Sequence, residues 1–370
     1  MQATVSFATV RTASSALALS RCFPGVVAAH PRHALTTLPT PVHRLERLGR
    51  ETGARSLWVK RDDVSCALYG GNKPRKLEWL LGEALRRGHR SVITFGGIGT
   101  HHGLATAIAA RDAGLRTILV LLPQPVTDSV RRALLLDHAC GAEMYLGQSV
   151  AQIVATSLRL LGRDTLKGDR PYIVPTGGTS ALGCLGYVEA ALELAEQVRA
   201  AEIPEPDSIF VPLGSGGTVA GLLLGLKLAG LRSRVVGVLV TDLLPPSQRK
   251  LIGIARACWR RMRRAEPGVP DVELRPEDLT IVPGFVGRGY GVPTEEAKQA
   301  LRAVESSEGI RLETTYTGKC MAALLRFSEE APYRDQKLLF WNTYSSIDPE
   351  VGSGELPSFR DLPPAFHQFF

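Results

Sequence analysis

Hydrophobic positions along the chain fall into short apolar runs that alternate with longer stretches of mixed polarity. Continuous Val, Ile and Leu runs are typical of strands that are buried on both faces of a parallel sheet. The pattern predicts strands over residues 56–60, 91–95, 117–122, 143–146, 172–174, 208–212, 234–240, 280–281 and 337–341. It predicts helices over residues 75–87, 100–113, 127–138, 149–161, 184–201 and 218–229. Helices between successive strands indicate an α/β fold built on parallel sheets.

The number of strand–helix units is large enough for two three-layer domains. We expect a small α/β domain over residues 76–180, inserted into a large domain formed by residues 35–75 and 181–370. A plausible hinge is the Pro-Thr-Gly-Gly stretch at residues 175–178, because Pro and Gly interrupt regular structure.

Residues 1–34 form a separate N-terminal extension in this division of the chain. No acidic residue precedes Glu46, whereas arginine, serine and threonine recur throughout this part. Such a start can be an organelle transit peptide. It can equally be a disordered extension, or the result of an assigned start that lies upstream of the true one.

Composition and charge limit the classes of protein to which the chain can belong. The 370 residues are 44% apolar and 22% charged, as in ordinary globular proteins, and contain no run of about 20 apolar residues that would span a membrane. The net charge of +8 is spread along the chain, and its densest cluster, residues 260–264, is expected to be a solvated helix face rather than a nucleic-acid site. Six cysteines without a CxxC pair or zinc spacing indicate free thiols in a reducing, cytoplasmic compartment.

The most informative position is Lys73, which follows Gly-Gly-Asn at residues 70–72 and opens a predicted helix. Glycines allow a tight turn or a close approach to a ligand. Cations are unfavourable at a helix N-terminus, so the cluster of Lys73, Arg75 and Lys76 suggests an anionic ligand. A lysine amine beside an anionic aldehyde can form a Schiff base. The alternative is a turn followed by an exposed basic helix.

Two glycine-rich loops follow predicted strands and precede predicted helices. Residues 214–218, Gly-Ser-Gly-Gly-Thr, could surround a phosphate with backbone N–H groups, although a packing turn gives the same pattern. Residues 96–103 could hold a carboxylate through N–H groups and the Thr100 hydroxyl. We expect no metal site at His101 and His102, because adjacent helical residues do not face one point.

Two tyrosines, Tyr290 and Tyr316, lie in glycine-containing segments. A tyrosine near a cofactor can act as an acid, a base or a nucleophile. Either could equally be an ordinary core or interface tyrosine.

Taken together, these motifs resemble the D-cysteine desulfhydrase and 1-aminocyclopropane-1-carboxylate deaminase family. The resemblance covers about residues 38–341 and depends on the order of KRDD, GGNKxRKLE, GG-I, PTGG, GSGGT, GYG and YTGK. It implies the tryptophan-synthase β-like fold (fold type II), pyridoxal 5′-phosphate as cofactor in the large domain, and a homodimer. It also implies a small amino acid as substrate.

The resemblance assigns roles residue by residue. Lys73 would be the Schiff-base lysine, and Tyr290, Tyr316 and Thr100 would complete the catalytic set. The residues implied to bind the cofactor are Lys73, Lys76, Asn72, His101, Gly214, Ser215, Gly216, Gly217, Thr218 and Thr317. Thr317 would lie near the pyridine nitrogen, where the deaminases usually carry Glu and the desulfhydrases Thr.

The chain departs from the family at two loops. Thr100-His101-His102 stands where Ser-Asn-His or Ser-Asn-Gln is usual, and residues 342–346 replace a His-Thr-Gly-Gly stretch. The sequence therefore predicts a lyase that releases sulfide, ammonia and a keto acid from a small amino acid by β-elimination. The alternatives are a ring-opening deaminase of the cyclopropane type and a pyridoxal-phosphate-binding protein without turnover.

Overall fold

The computed structural model describes residues 17–243, 245–349 and 355–370. These residues divide into two compact units, one formed by residues 17–88 and 174–347 and the other by residues 89–173 together with the C-terminal residues from 348. Residues 1–16 of the expected N-terminal extension lie outside the described part. The expected domain boundaries at 75/76 and 180/181 stay a prediction, although a single helix runs across residue 75 in the larger unit.

The larger unit contains six strands and most of the helices. Its elements are α1 Ala18–Cys22, α2 Pro24–Ala29, β1 Val42–Arg44, α3 Glu46–Thr52, β2 Leu57–Lys60, α4 Asn72–Arg86, α8 Leu185–Arg199, β7 Ser208–Leu213, α9 Gly217–Ala229, β8 Arg234–Leu239, α10 Gln248–Ala265, β9 Leu279–Val282, α11 Glu295–Glu308, α12 Thr317–Ser328 and β10 Leu338–Trp341. The strand order is β1-β2-β10-β7-β8-β9, and only the β1–β2 pair is antiparallel.

Both faces of this sheet are covered. Phe210, Val236 and Phe340 share one core cluster with residues of α11 and α12. On the other face, a side chain at Gly237 would come within 3.6 Å of Val219 in α9. Because side chains alternate along a strand, helices α9 and α12 lie on opposite faces. The unit is therefore a three-layer α/β structure.

The smaller unit repeats this plan with four strands. Its elements are β3 Ser91–Gly97, α5 His101–Asp112, β4 Arg116–Leu122, α6 Asp128–Ala139, β5 Glu143–Leu146, α7 Val150–Leu166 and β6 Tyr172–Ile173. All pairs in the order β5-β4-β3-β6 are parallel. Leu119 and Leu121 of β4 pack with α5 and α6, whereas Ile118 and Val120 pack with α7. The predicted α/β class with two parallel three-layer sheets is thus confirmed.

The segment from residue 17 is ordered and attached to the larger unit. Leu19 and Val26 are fully buried, and the Glu189 carboxylate accepts the N–H groups of Ala18 at 3.0 Å and Leu19 at 2.6 Å. Burial raises the pKa of Glu189 to about 7, although these N–H groups oppose the shift. Among the described residues, no helix is long and apolar enough to cross a membrane.

Candidate active site

The turn before α4 is built so that only glycines fit it. A Cβ at Gly70 would lie 1.9 Å from the Asp63 carbonyl oxygen, and Gly71 has a φ of 88°. The Gly71 N–H donates to the Asp62 carbonyl at 2.7 Å, and the Gly70 N–H donates to the Ser345 hydroxyl at 2.9 Å. The turn therefore holds Lys73, the second residue of α4, in a fixed place.

The Lys73 amine is half-buried and lies in a short chain of hydrogen bonds. Its Nζ donates to Asn72 Oδ1 at 2.6 Å, and Asn72 Nδ2 donates to Thr218 Oγ1 at 3.0 Å. Burial lowers the pKa of Lys73 to about 8, and the nearby charge of Glu313 opposes that shift. A large fraction of neutral amine is available near pH 8, as a nucleophilic lysine requires.

The KRDD segment, residues 60–63, is hydrogen-bonded to helix α4 through Asp62. Asp62 accepts from Arg75 Nη2 at 2.8 Å, from the Tyr187 hydroxyl at 2.7 Å and from Trp341 Nε1 at 2.7 Å. Arg75 also donates to Glu193 at 3.0 Å. All these groups are buried. Because Arg75 follows Lys73 by two residues, this network fixes the helix turn that carries the amine.

The glycine-rich loop at residues 214–218 joins β7 to α9 and has the donors that a phosphate needs. Gly216 has a φ of 94°, and a Cβ there would lie 2.3 Å from Leu251. The Gly217 N–H donates to Thr179 Oγ1 at 3.2 Å, and Thr179 shares a 2.7 Å hydrogen bond with the Ser215 hydroxyl. Backbone N–H groups at a helix start, together with three hydroxyls, fit a phosphate group.

Lys76, in the first turn of α4, contacts the neighbouring segment at residues 177–178. It is buried, its Nζ donates to the Gly177 carbonyl at 2.9 Å, and it lies 5.8 Å from the centre of the Tyr187 ring. Burial, followed by the charge of Lys73, lowers the pKa of Lys76 to about 7. Gly177 in turn leaves no room for a Cβ, which would lie 2.3 Å from Ser215 Oγ. Contact of Lys76 with a phosphate stays a prediction.

The two tyrosines come together. Their hydroxyls share a 2.5 Å hydrogen bond, and the rings are 5.9 Å apart in an edge-on arrangement. Burial raises the pKa of both hydroxyls, so both are protonated at neutral pH. The Tyr290 N–H donates to Asp242 at 2.9 Å, and Lys319 supports the same loop through the Val286 carbonyl at 2.7 Å. A Cβ at Gly214 would lie 3.4 Å from the Tyr316 ring, so the tyrosine pair borders the glycine-rich loop.

Thr317 begins α12 and is fully buried. Its hydroxyl is hydrogen-bonded to Glu313, whose carboxylate also accepts the N–H groups of Thr315, Tyr316 and Thr317, each at 2.7 Å. The sequence reasoning missed both Glu313 and Thr179. Glu313 lies three residues before the N-cap Tyr316, outside the position at which a capping side chain is expected, and nothing local pointed to Thr179 either.

Thr100 and His101 belong to the smaller unit, whereas the other predicted site residues belong to the larger one. Thr100 is the N-cap of α5, and its hydroxyl accepts the Gly103 N–H at 3.3 Å. His101 is the first residue of that helix, and the next residue, His102, hydrogen-bonds through Nε2 to Thr94 at 3.0 Å. The roles of Thr100 and His101 stay predictions.

Comparison with known proteins identifies the family to which the chain belongs. Residues 34–343 match the family model described as "Pyridoxal-phosphate dependent enzyme". The chain is 35% identical to D-cysteine desulfhydrase of Klebsiella pneumoniae (strain 342) over 314 residues, which cover 82% of this chain and 92% of the relative. It is also 35% identical to D-cysteine desulfhydrase of Salmonella schwarzengrund (strain CVM19633) over 313 residues, with the same coverage.

A solved structure agrees as well. The crystal structure described as that of the "ACC deaminase homologue" superimposes with a TM-score of 0.75 at 35% identity, covering 89% of this chain and 94% of the other.

Proposed function

The chain belongs to the family of pyridoxal-phosphate dependent enzymes, and from that premise we propose that its reaction is β-elimination from a small amino acid such as D-cysteine. It is a pyridoxal-phosphate-dependent lyase of the tryptophan-synthase β-like fold. The observation that carries the proposal is the Lys73 amine, which donates to Asn72, while Asn72 in turn donates to Thr218 in a loop suited to phosphate.

The residues proposed to hold the cofactor are mostly in the larger unit. Lys73 would bond to the aldehyde carbon, and Gly214 to Thr218 would hold the phosphate with N–H groups and hydroxyls. Asn72 would orient Lys73, and Lys76 would support the loop. Thr317 would face the ring nitrogen, and His101 would be a further residue that binds the cofactor. The bound cofactor supplies the electron sink for the reaction.

The remaining chemistry is assigned to side chains. The Lys73 amine, with a pKa of about 8, would remove the α-proton once the substrate has taken its place. The Tyr290–Tyr316 pair would donate a proton to the departing group, because both hydroxyls are protonated and share one hydrogen bond. The Thr100 hydroxyl would bind the substrate carboxylate.

A ring-opening deaminase is the second candidate. It is favoured by the likeness to the deaminase homologue, and Tyr316 would be the nucleophile of that reaction. A protein that binds the cofactor without turnover is the third, and the altered loops at residues 100–102 and 342–346 are its motivation.

One assay separates the three. The purified protein is loaded with pyridoxal phosphate and tested with D- and L-amino acids and with 1-aminocyclopropane-1-carboxylate, and sulfide and keto acid are measured together. We expect equal amounts of sulfide and pyruvate from D-cysteine. 2-Oxobutyrate from the cyclopropane acid alone would favour the deaminase, and no product from any substrate would favour the third candidate.

Lys73→Ala is the matched control for the same assay. It should show neither product nor the borohydride-sensitive visible band of the lysine-bound cofactor. A wild-type protein that never develops this band with added cofactor would contradict the proposal as a whole.

The proposal also includes the cellular compartment and the oligomeric state of the protein. All six cysteines are free thiols, as expected in a reducing, cytoplasmic compartment. A homodimer is proposed from the family resemblance, and sedimentation of the loaded protein at micromolar concentration would test it. A species of the monomer mass, 39.9 kDa, would contradict this assembly.

A further inference from the structure

Helix α10 of the larger unit has an exposed face that consists of arginines and one glycine. The helix carries seven basic side chains and no acidic one. Exposed positions at spacings of three and four residues lie on one face of a helix. In α10 they are Arg249, Gly253, Arg256, Arg260 and Arg264. The opposite face is buried, and its Leu251 lies against Gly216 of the glycine-rich loop.

The arginines of this face lack an anionic partner within the described part of the chain. The side chains of Arg249 and Arg256 take part in none of its ion pairs or hydrogen bonds. Arg263, on a neighbouring face, differs, because it binds Asp271 at 2.5 Å and lies over the Trp259 ring. Like charges one helical turn apart repel each other, as the exposed arginines from residue 256 onward do. An anion bound to this face would offset that repulsion.

A cavity of about 370 Å³ opens on this face and is lined by both Arg249 and Arg256. Its apolar lining is formed by Ile252, Leu274 and Pro276. The first two of these are buried and so form its base. No carboxylate is among the described residues that line the cavity. The volume is within the range of clefts that bind small molecules, roughly 300–1,000 Å³, and the lining combines apolar surface with positive charge.

Gly253, which lies between the two arginines on α10, also lines the cavity and keeps it open. It is exposed, and a Cβ there would meet no atom within 4 Å, so packing does not require a glycine. Glycine inside a helix is less favourable than alanine. The facing wall is fixed by Gln248, whose amide donates to the carbonyls of Pro276 at 2.5 Å and Leu279 at 2.8 Å. The cavity is therefore preformed, as sites for small molecules usually are.

We propose that this cavity binds a small organic oxyanion, whose charged group is held by Arg249 and Arg256 and whose apolar body lies on the buried lining. The two arginines are about 10 Å apart along the helix axis, so their long side chains can both reach an anion above Gly253. Guanidinium groups bind oxyanions through paired N–H donors. The glycine-rich loop lies against the opposite, buried side of α10, so this anion is not the phosphate of the cofactor. The inference goes beyond the proposed function and does not depend on it.

The test is calorimetric titration of the full-length, cofactor-loaded protein with 8-anilinonaphthalene-1-sulfonate, an oxyanion with an apolar body. We expect binding that weakens as salt is added, because part of the affinity is electrostatic. The double substitution Arg249→Gln and Arg256→Gln should raise the dissociation constant about tenfold or more, since hydrogen bonds to a charged group are lost. Gly253→Leu should have a similar effect by filling the cavity, and it should fold because the space around that Cβ is open.

The matched control is the double substitution Arg260→Gln and Arg264→Gln. It removes two charges from the same face outside the cavity, and it should change the dissociation constant by less than about threefold because solvent and salt screen exposed charges. The inference is overturned if the wild type does not bind the probe, or if either cavity variant binds it as tightly as the wild type does. A loss in the control that equals the loss in the cavity variants would also overturn it, because the binding would then belong to the charge of the whole helix.

Discussion

At the scale of single residues, Lys73 sets a pH dependence. Its pKa of about 8 means that the neutral, nucleophilic amine grows roughly tenfold per pH unit below that value and then levels off. The rate at which the protein without cofactor acquires its visible band should follow this curve between pH 6 and 9. This rate is measured by mixing the protein with excess pyridoxal phosphate in a stopped-flow instrument. A rate that still rises tenfold between pH 9 and 10 would contradict the lowered pKa.

Asp137 of helix α6 allows a test of a buried carboxyl outside the site. It is fully buried, and neither of its oxygens has a hydrogen-bond partner among the described residues. Burial raises its pKa well above the usual value. The folded state therefore holds a proton that the unfolded state loses above pH 4, so its contribution to stability falls as pH rises.

Asp137→Asn removes that pH dependence. The variant should be more stable than the wild type at pH 8 by about 1–3 kcal/mol, and the difference should shrink at pH 5. Urea unfolding of the variant and the wild type at pH 5 and pH 8 measures the difference between their free energies of unfolding. An equal difference at both pH values would show that Asp137 does not titrate in this range.

Some candidate site residues could be predicted from the sequence and others could not, for a physical reason. Short segments of characteristic composition mark the candidates that were predicted. They are the Gly-Gly-Asn before Lys73, the glycine-rich loop at residues 214–218 and the glycine-containing segments of both tyrosines. Thr179 matters because it meets Ser215, 36 positions away, and no local pattern encodes that contact. Glu313 lies three residues before the N-cap Tyr316, and its hydrogen bonds to the N–H groups of residues 315–317 depend on the folded turn rather than on a local sequence signal.

At the scale of elements, helices α8 and α9 pack so closely that their glycines become essential. A Cβ at Gly225 would lie 2.6 Å from Ala191 Cβ and 2.9 Å from the Val188 backbone. Gly225→Ala should therefore destabilise the protein by about 1–3 kcal/mol, as overpacking does. Gly253 in α10 is the matched control, because it is exposed and has nothing within 4 Å of its Cβ position.

Gly253→Ala should stabilise the protein by about 0.5–1 kcal/mol through helix propensity alone. Chemical unfolding of the two variants gives both values. Similar effects of the two substitutions would contradict the close packing of α8 on α9.

The nine strands predicted from apolar runs all exist, with ends that shift by one or two residues, because buried parallel strands have a strong local signal. The elements that were not predicted are β1 and helices α1, α2, α3, α11 and α12, and of α10 only the helix face at residues 260–264 was expected. Strand β1 is a three-residue edge that is defined only by its pairing with β2. Helix α10 was detectable, since Leu251, Ala255, Cys258 and Met262 form a buried stripe at helical spacing.

At the scale of the whole molecule, stability depends on one buried group of charges. Lys60 and Arg75 both bind Glu193, at 2.6 and 3.0 Å, and Arg75 also binds Asp62. Removing one partner leaves an uncompensated buried charge, so Arg75→Met should cost about 3–5 kcal/mol. The matched control is Arg55→Met, which breaks an ion pair with Asp335 whose side chains are 70% and 69% exposed.

The control should change the free energy of unfolding by less than about 1 kcal/mol. Thermal and urea unfolding of both variants without cofactor measure the contrast. If Arg75→Met and Arg55→Met lowered the free energy of unfolding by equal and small amounts, the buried charges would not stabilise the fold as their contacts imply.

The division of the chain into two units has a consequence for protein engineering. The proposed lysine anchor, phosphate loop and tyrosine pair all lie in residues 17–88 and 174–347, whereas the loop proposed for the substrate carboxylate lies in residues 89–173. Apart from His101, the residues proposed to bind the cofactor are thus separate in sequence from the loop proposed to bind the substrate carboxylate. Chimaeras that exchange residues 89–173 between relatives, with His101 retained, are therefore a direct way to select new substrate preferences, while the yellow colour of the lysine-bound cofactor reports in each clone that the larger unit still binds it.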